Sequence, residues 1–344
     1  MATTIPSGSI RFNKDSSKLE LYNGEQWWEI DATLPELQTG GTRALFAGGE
    51  APSRVNTITF ANIDTTGNSV DFGDASRTLS SHSAFSSRTR GLISGGVTGP
   101  QPTNYTNAID FVTIASQGNS EDFGDMVIGV GQRASCSSST RGLIMSGLYA
   151  GIQQNAIDSV TMSQSGNAVD FGDLPVKSNG GHALSSPTRG IIGGGYFASP
   201  VSAFVNTIQY VTISTFGNAA DFGDLTRITR YACTASNAVR GVFAGGSNPS
   251  TDSQDTIDFI TIATLGNALD FGNLSGVISD FHQGAASPTR AVFPGGLGPA
   301  PSYTRYDAIS YVQFASTGNA KDFGDLTAGT QYVAGMSNGH GGLS

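Results

Sequence analysis

The chain has 344 residues, of which 46 are glycine and only 13% are charged, and its formal net charge is -9. A chain so acidic and so poor in charge has no electrostatic grip on nucleic-acid phosphates or anionic membranes. No stretch approaches the roughly 20 apolar residues that span a bilayer, which excludes insertion by a helix. The first residues, Met1 to Pro6, lack a basic region followed by an apolar core, so no secretory signal is read there and folding in a cytoplasm is expected.

Residues 1–31 form the first segment. Gly8 to Phe12, Lys18 to Tyr22 and Gln26 to Ile30 read as three short strands, with Asn23-Gly24 as a hairpin turn. So small a meander buries little by itself. It holds both tryptophans of the chain, Trp27 and Trp28, which are expected to pack on a partner, another subunit or the rest of the chain. Residues 32–41 read as a linker.

From residue 42 to 344 one pattern recurs six times. Its clearest part is Gly67-Asn68 followed by Asp71-Phe72-Gly73-Asp74, repeated from Gly118, Gly166, Gly217, Gly266 and Gly318. A period of about 50 residues is that of one four-stranded propeller blade. The second copy displays the plan. Ser83 to Ser87 is an inner strand of mostly small residues, and Thr89-Arg90 a turn. Gly91 to Ser94 is a second strand ending at Gly95-Gly96, followed by a variable loop to Thr106. Ala108 to Ile114 is a third strand, apolar on both faces as in a sheet sandwiched between sheets. Ser116 to Asn119 turns the chain into the fourth strand, with Asp122 to Asp125. Phe72, Phe123, Phe171, Phe222, Phe271 and Phe323 recur without exception and are expected to wedge between blades; Ser159 alone breaks the aromatic position of the third strand. The first copy lacks an inner strand before Thr42-Arg43, while the chain continues through Val333 to Asn338 after the last copy. That tail is expected to be the missing inner strand, which closes the ring and removes two open sheet edges. Cys136 and Cys233 fall in different copies and read as buried, reduced thiols.

The Gly-Gly doublets (Gly48-Gly49, Gly95-Gly96, Gly194-Gly195, Gly245-Gly246, Gly295-Gly296) and the turn arginine before each resemble the kelch propeller over residues 42 to 344. Kelch repeats usually carry an outer-strand Trp, whose place Phe takes here, and the third copy has Ser146-Gly147. The resemblance implies an all-β fold: a six-bladed, kelch-like propeller closed by a C-terminal inner strand. It implies no particular function. Gly8-Ser9-Ile10-Arg11-Phe12-Asn13, Lys18-Leu19-Glu20, Tyr22-Asn23-Gly24 and Trp27 together resemble a segment of bacteriophage tail-fibre and other virion proteins. The Gly-Asn-Ala-x-Asp-Phe-Gly-Asp-Leu repeats are similar to virion proteins of phages of marine bacteria, cyanophages among them. This resemblance implies a location in the virion, as a tail fibre, a fibre-tip adhesin or a head decoration.

Four sets of residues are candidates for chemistry. Arg43, Arg90, Arg141, Arg189, Arg240 and Arg290 could ring an anion, or each could pair with an Asp of the repeat or with turn carbonyls. The repeated Asp pairs, Asp71/Asp74 and their copies, point to opposite strand faces, poor geometry for hydrolysis or calcium. His82, His182 and His282 lie 100 residues apart. They raise the question of a metal, although a one-residue slip in His182 favours loop histidines and no metal site. The variable loops carry Tyr105, Tyr149, Tyr196, Phe197, Phe204, Tyr231, Phe281, Tyr303 and Tyr306. Aromatic loops on a rigid scaffold suit recognition of carbohydrate or protein. The binding-face set is Tyr105, Tyr149, Tyr196, Phe197, Tyr303 and Tyr306; the assembly set is Trp27 and Trp28.

No nucleophile elbow, phosphate loop or zinc-ligand cluster appears. The expectation is a non-enzymatic virion protein without cofactor. It joins other virion proteins through its N-terminal segment, as a trimer or another homo-oligomer, and binds a host-surface glycan or protein with its loops. A propeller-scaffold glycan hydrolase is the alternative; it needs a carboxylate pair on the loop face, where Glu50, Asp252, Asp255 and Asp280 look scattered. A purely architectural virion subunit is the third reading.

Overall fold

The computed structural model describes residues 6–13, 18–30, 41–100, 104–280 and 283–343. It divides into two compact units, residues 1–39 and 40–344.

In the first unit, strands Ile10–Asn13, Lys18–Tyr22 and Trp27–Ile30 form an antiparallel sheet in sequence order. The turn between the last two is held by Asn23, whose Oδ1 accepts the amides of Glu25 and Gln26 at 2.9 and 2.8 Å. Arg11 pairs with the buried carboxylate of Glu20 at 2.7 Å and stacks 4.2 Å over the Trp27 ring. Trp27 in turn lies against Tyr22, with centroids 5.2 Å apart. Trp27 is therefore packed within its own sheet. Trp28 pairs with Leu21 in the register; its side chain lies outside the described residues.

The second unit is all-β and propeller-like. Five antiparallel sheets have four strands each, and a further sheet has seven. The order in the second repeat is Ser83–Ser86, Arg90–Ser94, Ala108–Thr113, Glu121–Asp125, each hydrogen-bonded to the next. Small residues form the inner strands because these converge on an axis, and all of them are buried. The third repeat lies in the seven-stranded sheet, which runs Ala134–Ser137, Arg141–Met145, Ile152–Thr161, Val169–Asn179 before taking on a hairpin, Tyr196–Phe197 with Ala203–Phe204, from the next loop. The tail strand Ala334–Ser337 pairs with Arg43–Ala47, Ala334 opposite Ala47 and Ser337 opposite Ala44. The last inner strand thus completes the first sheet.

The recurring word of the repeat joins neighbouring sheets. Gly118 donates its amide to Phe72 O at 3.0 Å, Ser120 to Asp74 O at 2.8 Å, and Asn119 Oδ1 accepts the amide of Asp74 at 3.0 Å. The same clasp recurs at every junction, through Asn167, Asn218, Asn267 and Asn319. Gly73 has φ +149°, and a Cβ there would meet Gly118 O at 2.4 Å, so the close approach requires glycine. Phe72 and its counterparts are buried beside the clasps. In five repeats each stands edge-on to the third-strand aromatic, as Phe72 does to Phe60 with centroids 6.0 Å apart. Where Ser159 removes that aromatic, Phe216 from the next repeat's turn packs on Phe171 at 5.3 Å.

Buried charge follows its own rule. Asp110, Asp158 and Asp258 occupy one third-strand position, and each meets an arginine: Arg77 at 2.6 Å, Arg133 at 3.1 Å and Arg227 at 3.8 Å. The other repeats carry uncharged Thr59, Gln209 and Ser310 there. Repeats also alternate in length. The fourth strands Val70–Leu79, Val169–Asn179 and Leu269–Ile278 have 10, 11 and 10 residues, whereas the intervening ones have 5.

Candidate functional site

Strand direction sends the first-to-second and third-to-fourth turns to one end of the sheets and the variable loops to the other. At the turn end, structure engages the ring of arginines, although Arg90 stacks on Phe111 at 4.9 Å with its buried Nη1 unbonded. Arg43, Arg141, Arg189 and Arg290 each donate to the carbonyl ending the next repeat's third strand, at 2.7–3.1 Å. Each also stacks on an aromatic ring, Arg43 on Phe60 at 4.6 Å and Arg141 on Phe216 at 4.6 Å. Of the two partners considered from sequence, the carbonyls win. The repeated aspartates act through their backbones, and the carboxylates of Asp71 and Asp74 are exposed.

The axis is closed. Ser137, Ser185 and Ser236 each donate a hydroxyl to the carbonyl of the preceding repeat's counterpart at 2.7–2.8 Å, and Ser86 and Ser337 extend the hoop. Gln283 reaches across to the main chain and hydroxyl of Ser135, at 3.2 and 3.3 Å. From the turn end the axis is plugged by residues 340–343. His340 Nε2 donates to Ser86 O at 2.9 Å, Nδ1 accepts the amide of Gly342 at 3.1 Å, and Arg88 donates to Leu343 O. Burial holds the His340 pKa down at about 4. The space left among these groups is about 30 Å³, enough for a water or two and for no larger ligand.

His182 begins an inner strand, whereas His82 lies in the connection one residue before one. His82 and His182 are fully buried at the inner strands, because the chain dives toward the axis before each strand begins. His82 Nε2 lies 3.0 Å from Ala47 O, and burial lowers its pKa to about 3. His182 meets the Tyr231 ring edge-on at 6.4 Å. His282 and Phe281 lie outside the described residues. Among the described residues no three His, Cys, Asp or Glu side chains gather as a metal set.

At the loop end, a ring of left-handed residues precedes the inner strands: Ser81 (φ 52°), Gln132 (57°), Gly180 (67°), Tyr231 (54°), Asp280 (51°) and Tyr332 (59°). They are linked by main-chain bonds, Gln132 N to Ser81 O at 2.8 Å, Gly180 N to Gln132 O at 3.2 Å, Tyr231 N to Gly180 O at 3.0 Å and Tyr332 N to Asp280 O at 2.8 Å. One half of this ring is aromatic and acidic. The rings of Tyr231 and Tyr332 stand edge-on, 6.2 Å apart, and Arg230 stacks on Tyr231 at 4.8 Å and on Phe204 at 4.5 Å. Tyr332 donates its hydroxyl to Asp280. Burial raises the Asp280 pKa, and Glu50 and Asp252 raise it further against the pull of Tyr332 and Arg230. Burial and the Asp280 charge likewise raise that of Tyr332. The loop acids are therefore less scattered than the sequence suggests. Glu50, Asp252 and Asp280 act on one another because ring closure brings the loops of the fifth, sixth and first repeats together.

The binding-face aromatics divide into separate groups. Tyr105 and Tyr149, from adjacent loops, lie 6.0 Å apart. Tyr196 packs edge-on against Phe204 at 5.6 Å. Phe197, at 8% exposure, is buried and drops out of the surface set, because its short hairpin is pinned on Ser178–Asn179. Tyr306 is half-buried against Gly298. Tyr303 is 49% exposed, and its hydroxyl donates to Asp252 of the neighbouring loop at 3.2 Å. Sequence reasoning named Asp280 only as one of the scattered loop acids and passed over Arg230 and Tyr332. The signal of Asp280 and Tyr332 was weak: non-glycine residues at a left-handed position that glycine fills in one repeat, at Gly180.

No family model and no curated protein matches this chain.

Proposed function

We propose that this chain is a bacteriophage virion protein, a fibre, a fibre-tip adhesin or a head decoration, whose propeller loops bind a host-surface partner. In this reading the propeller has six blades of kelch-like type, the seven-stranded sheet serving as the remaining blade with a hairpin added. The equal clasps at all six junctions support that count. The small N-terminal sheet attaches the propeller to other virion proteins.

One observation carries the binding reading. The residues that repeat are spent on clasps, stacks and hoops, whereas the loops carry side chains that differ between repeats, Tyr149 and Tyr303 about half exposed among them. A surface that varies on a scaffold that does not is the arrangement of a recognition module. Fluorescently labelled protein should adhere to host cells and compete with virion adsorption. Antibodies against it should label virions in electron micrographs. Absence of both results would remove the reading. Release of reducing ends from host polysaccharide would replace binding by hydrolysis.

A further inference from the structure

Tyr303 is the side chain that the fold explains least. It has φ 43°, a left-handed conformation that is costly for a bulky residue. Burial does not repay it, since the residue is about half exposed. Its hydroxyl is nevertheless fixed, donating to Asp252 Oδ2 at 3.2 Å from a loop 51 residues earlier. A half-exposed aromatic ring thus has its hydroxyl edge tied to an exposed carboxylate. A strained, exposed and anchored residue is a candidate for function rather than for stability.

We propose that Tyr303 and Asp252 form a subsite for a pyranose ring of a glycan without acidic groups. A pyranose has one face of C–H bonds and a rim of hydroxyls that both donate and accept. The Tyr303 ring offers an apolar platform for the former, and the Asp252 carboxylate accepts from the latter. Asp280 and Glu50 lie in the same field but face Arg230 and Arg54, so it is the exposed Asp252 carboxylate itself that disfavours an anionic sugar such as a uronate, an effect strongest at low ionic strength. The subsite rests on the loop-face binding reading and names its ligand class.

The test is a binding panel of immobilised neutral oligosaccharides (glucose-, galactose- and mannose-type) and uronate-bearing ones, run with the full chain and with Tyr303→Ala, Tyr303→Phe and Asp252→Asn. We expect binding to at least one neutral class and at least tenfold weaker binding to uronates. Tyr303→Ala should lose at least tenfold in affinity. Tyr303→Phe and Asp252→Asn should lose less, with melting temperatures unchanged throughout. Tyr303→Gly should also lose binding while melting no lower, since it relieves the strained φ. Wild-type binding that Tyr303→Ala leaves intact overturns the subsite alone. Preference for uronates overturns the ligand class. A chain that binds neither the panel nor host cells overturns the loop-face reading with it.

Discussion

The amide of Asp325 donates to Oδ1 of Asn68 at 3.1 Å, across 257 residues of sequence. This bond, with Gly67 N to Phe323 O and Ser69 N to Asp325 O, both at 2.8 Å, repeats at the closing junction the clasp found at every other one. Closure is therefore made twice, at the rim by the clasp and at the axis by Ala334–Ser337. Truncation after Leu326 removes the inner closure and leaves Arg43–Ala47 as an open edge. The shortened chain should lose cooperative thermal unfolding. A calorimetric transition like that of the full chain would show that the rim clasp alone suffices.

The hydroxyl hoop has a gap. Ala286 stands where the other repeats have Ser86, Ser137, Ser185, Ser236 and Ser337, so the Ser236 carbonyl lacks the donor that its counterparts receive from the next repeat. Ala286→Ser should stabilise by about 1 kcal/mol, the net worth of one buried hydrogen bond, and Ser185→Ala should cost about 1–3 kcal/mol. Urea midpoints at constant m-value would measure both.

Arg133 and Asp158 are both fully buried, and burial opposes the arginine's charge. Removing one partner strands the other, so Asp158→Ala should cost about 3–5 kcal/mol. An apolar replacement of both, Arg133→Met with Asp158→Leu, should cost much less than the two single changes combined. Additive losses in a double-mutant cycle would contradict the coupling.

Acid should loosen the axis. His340 and His82 have folded pKa values lowered to about 4 and about 3, chiefly by burial. Below the unfolded value of about 6.5 the unfolded chain binds protons that the folded chain refuses. Stability is thus full above pH 6.5, declines as pH falls toward 4, and levels off once the folded histidines titrate. Protonating His340 Nδ1 also sets it against the amide of Gly342 that it accepts. Denaturant unfolding from pH 7 to 4 should show the decline, and His340→Asn should flatten part of it.

The architecture was legible where one sheet's residues speak for themselves. Strand order, the small inner strands, the buried Phe72 series and the returning tail all follow from period and alternation. What joins one repeat to the next was not legible, because sequence spacing does not say which neighbour a turn will touch. Asn119 looked like a residue of its own hairpin and serves instead the amide of Asp74. The exchange of Phe216 for the aromatic missing at Ser159 was within reach, since Thr66, Gln117, Ser165, Leu265 and Thr317 occupy the other copies of that position. The loop site was harder still. Asp252 and Tyr303 are 51 residues apart, and their meeting depends on loop backbones that no repeat pattern governs.

The closing strand also changes what the order of the chain means. Residue 41 lies against Asn338, so the ring of the second unit is entered and left at one place, beside its last inner strand. Circular permutants that begin at another inner strand would keep every clasp and stack. The site of the opening is then a matter of how the chain is read out rather than of how it is held together.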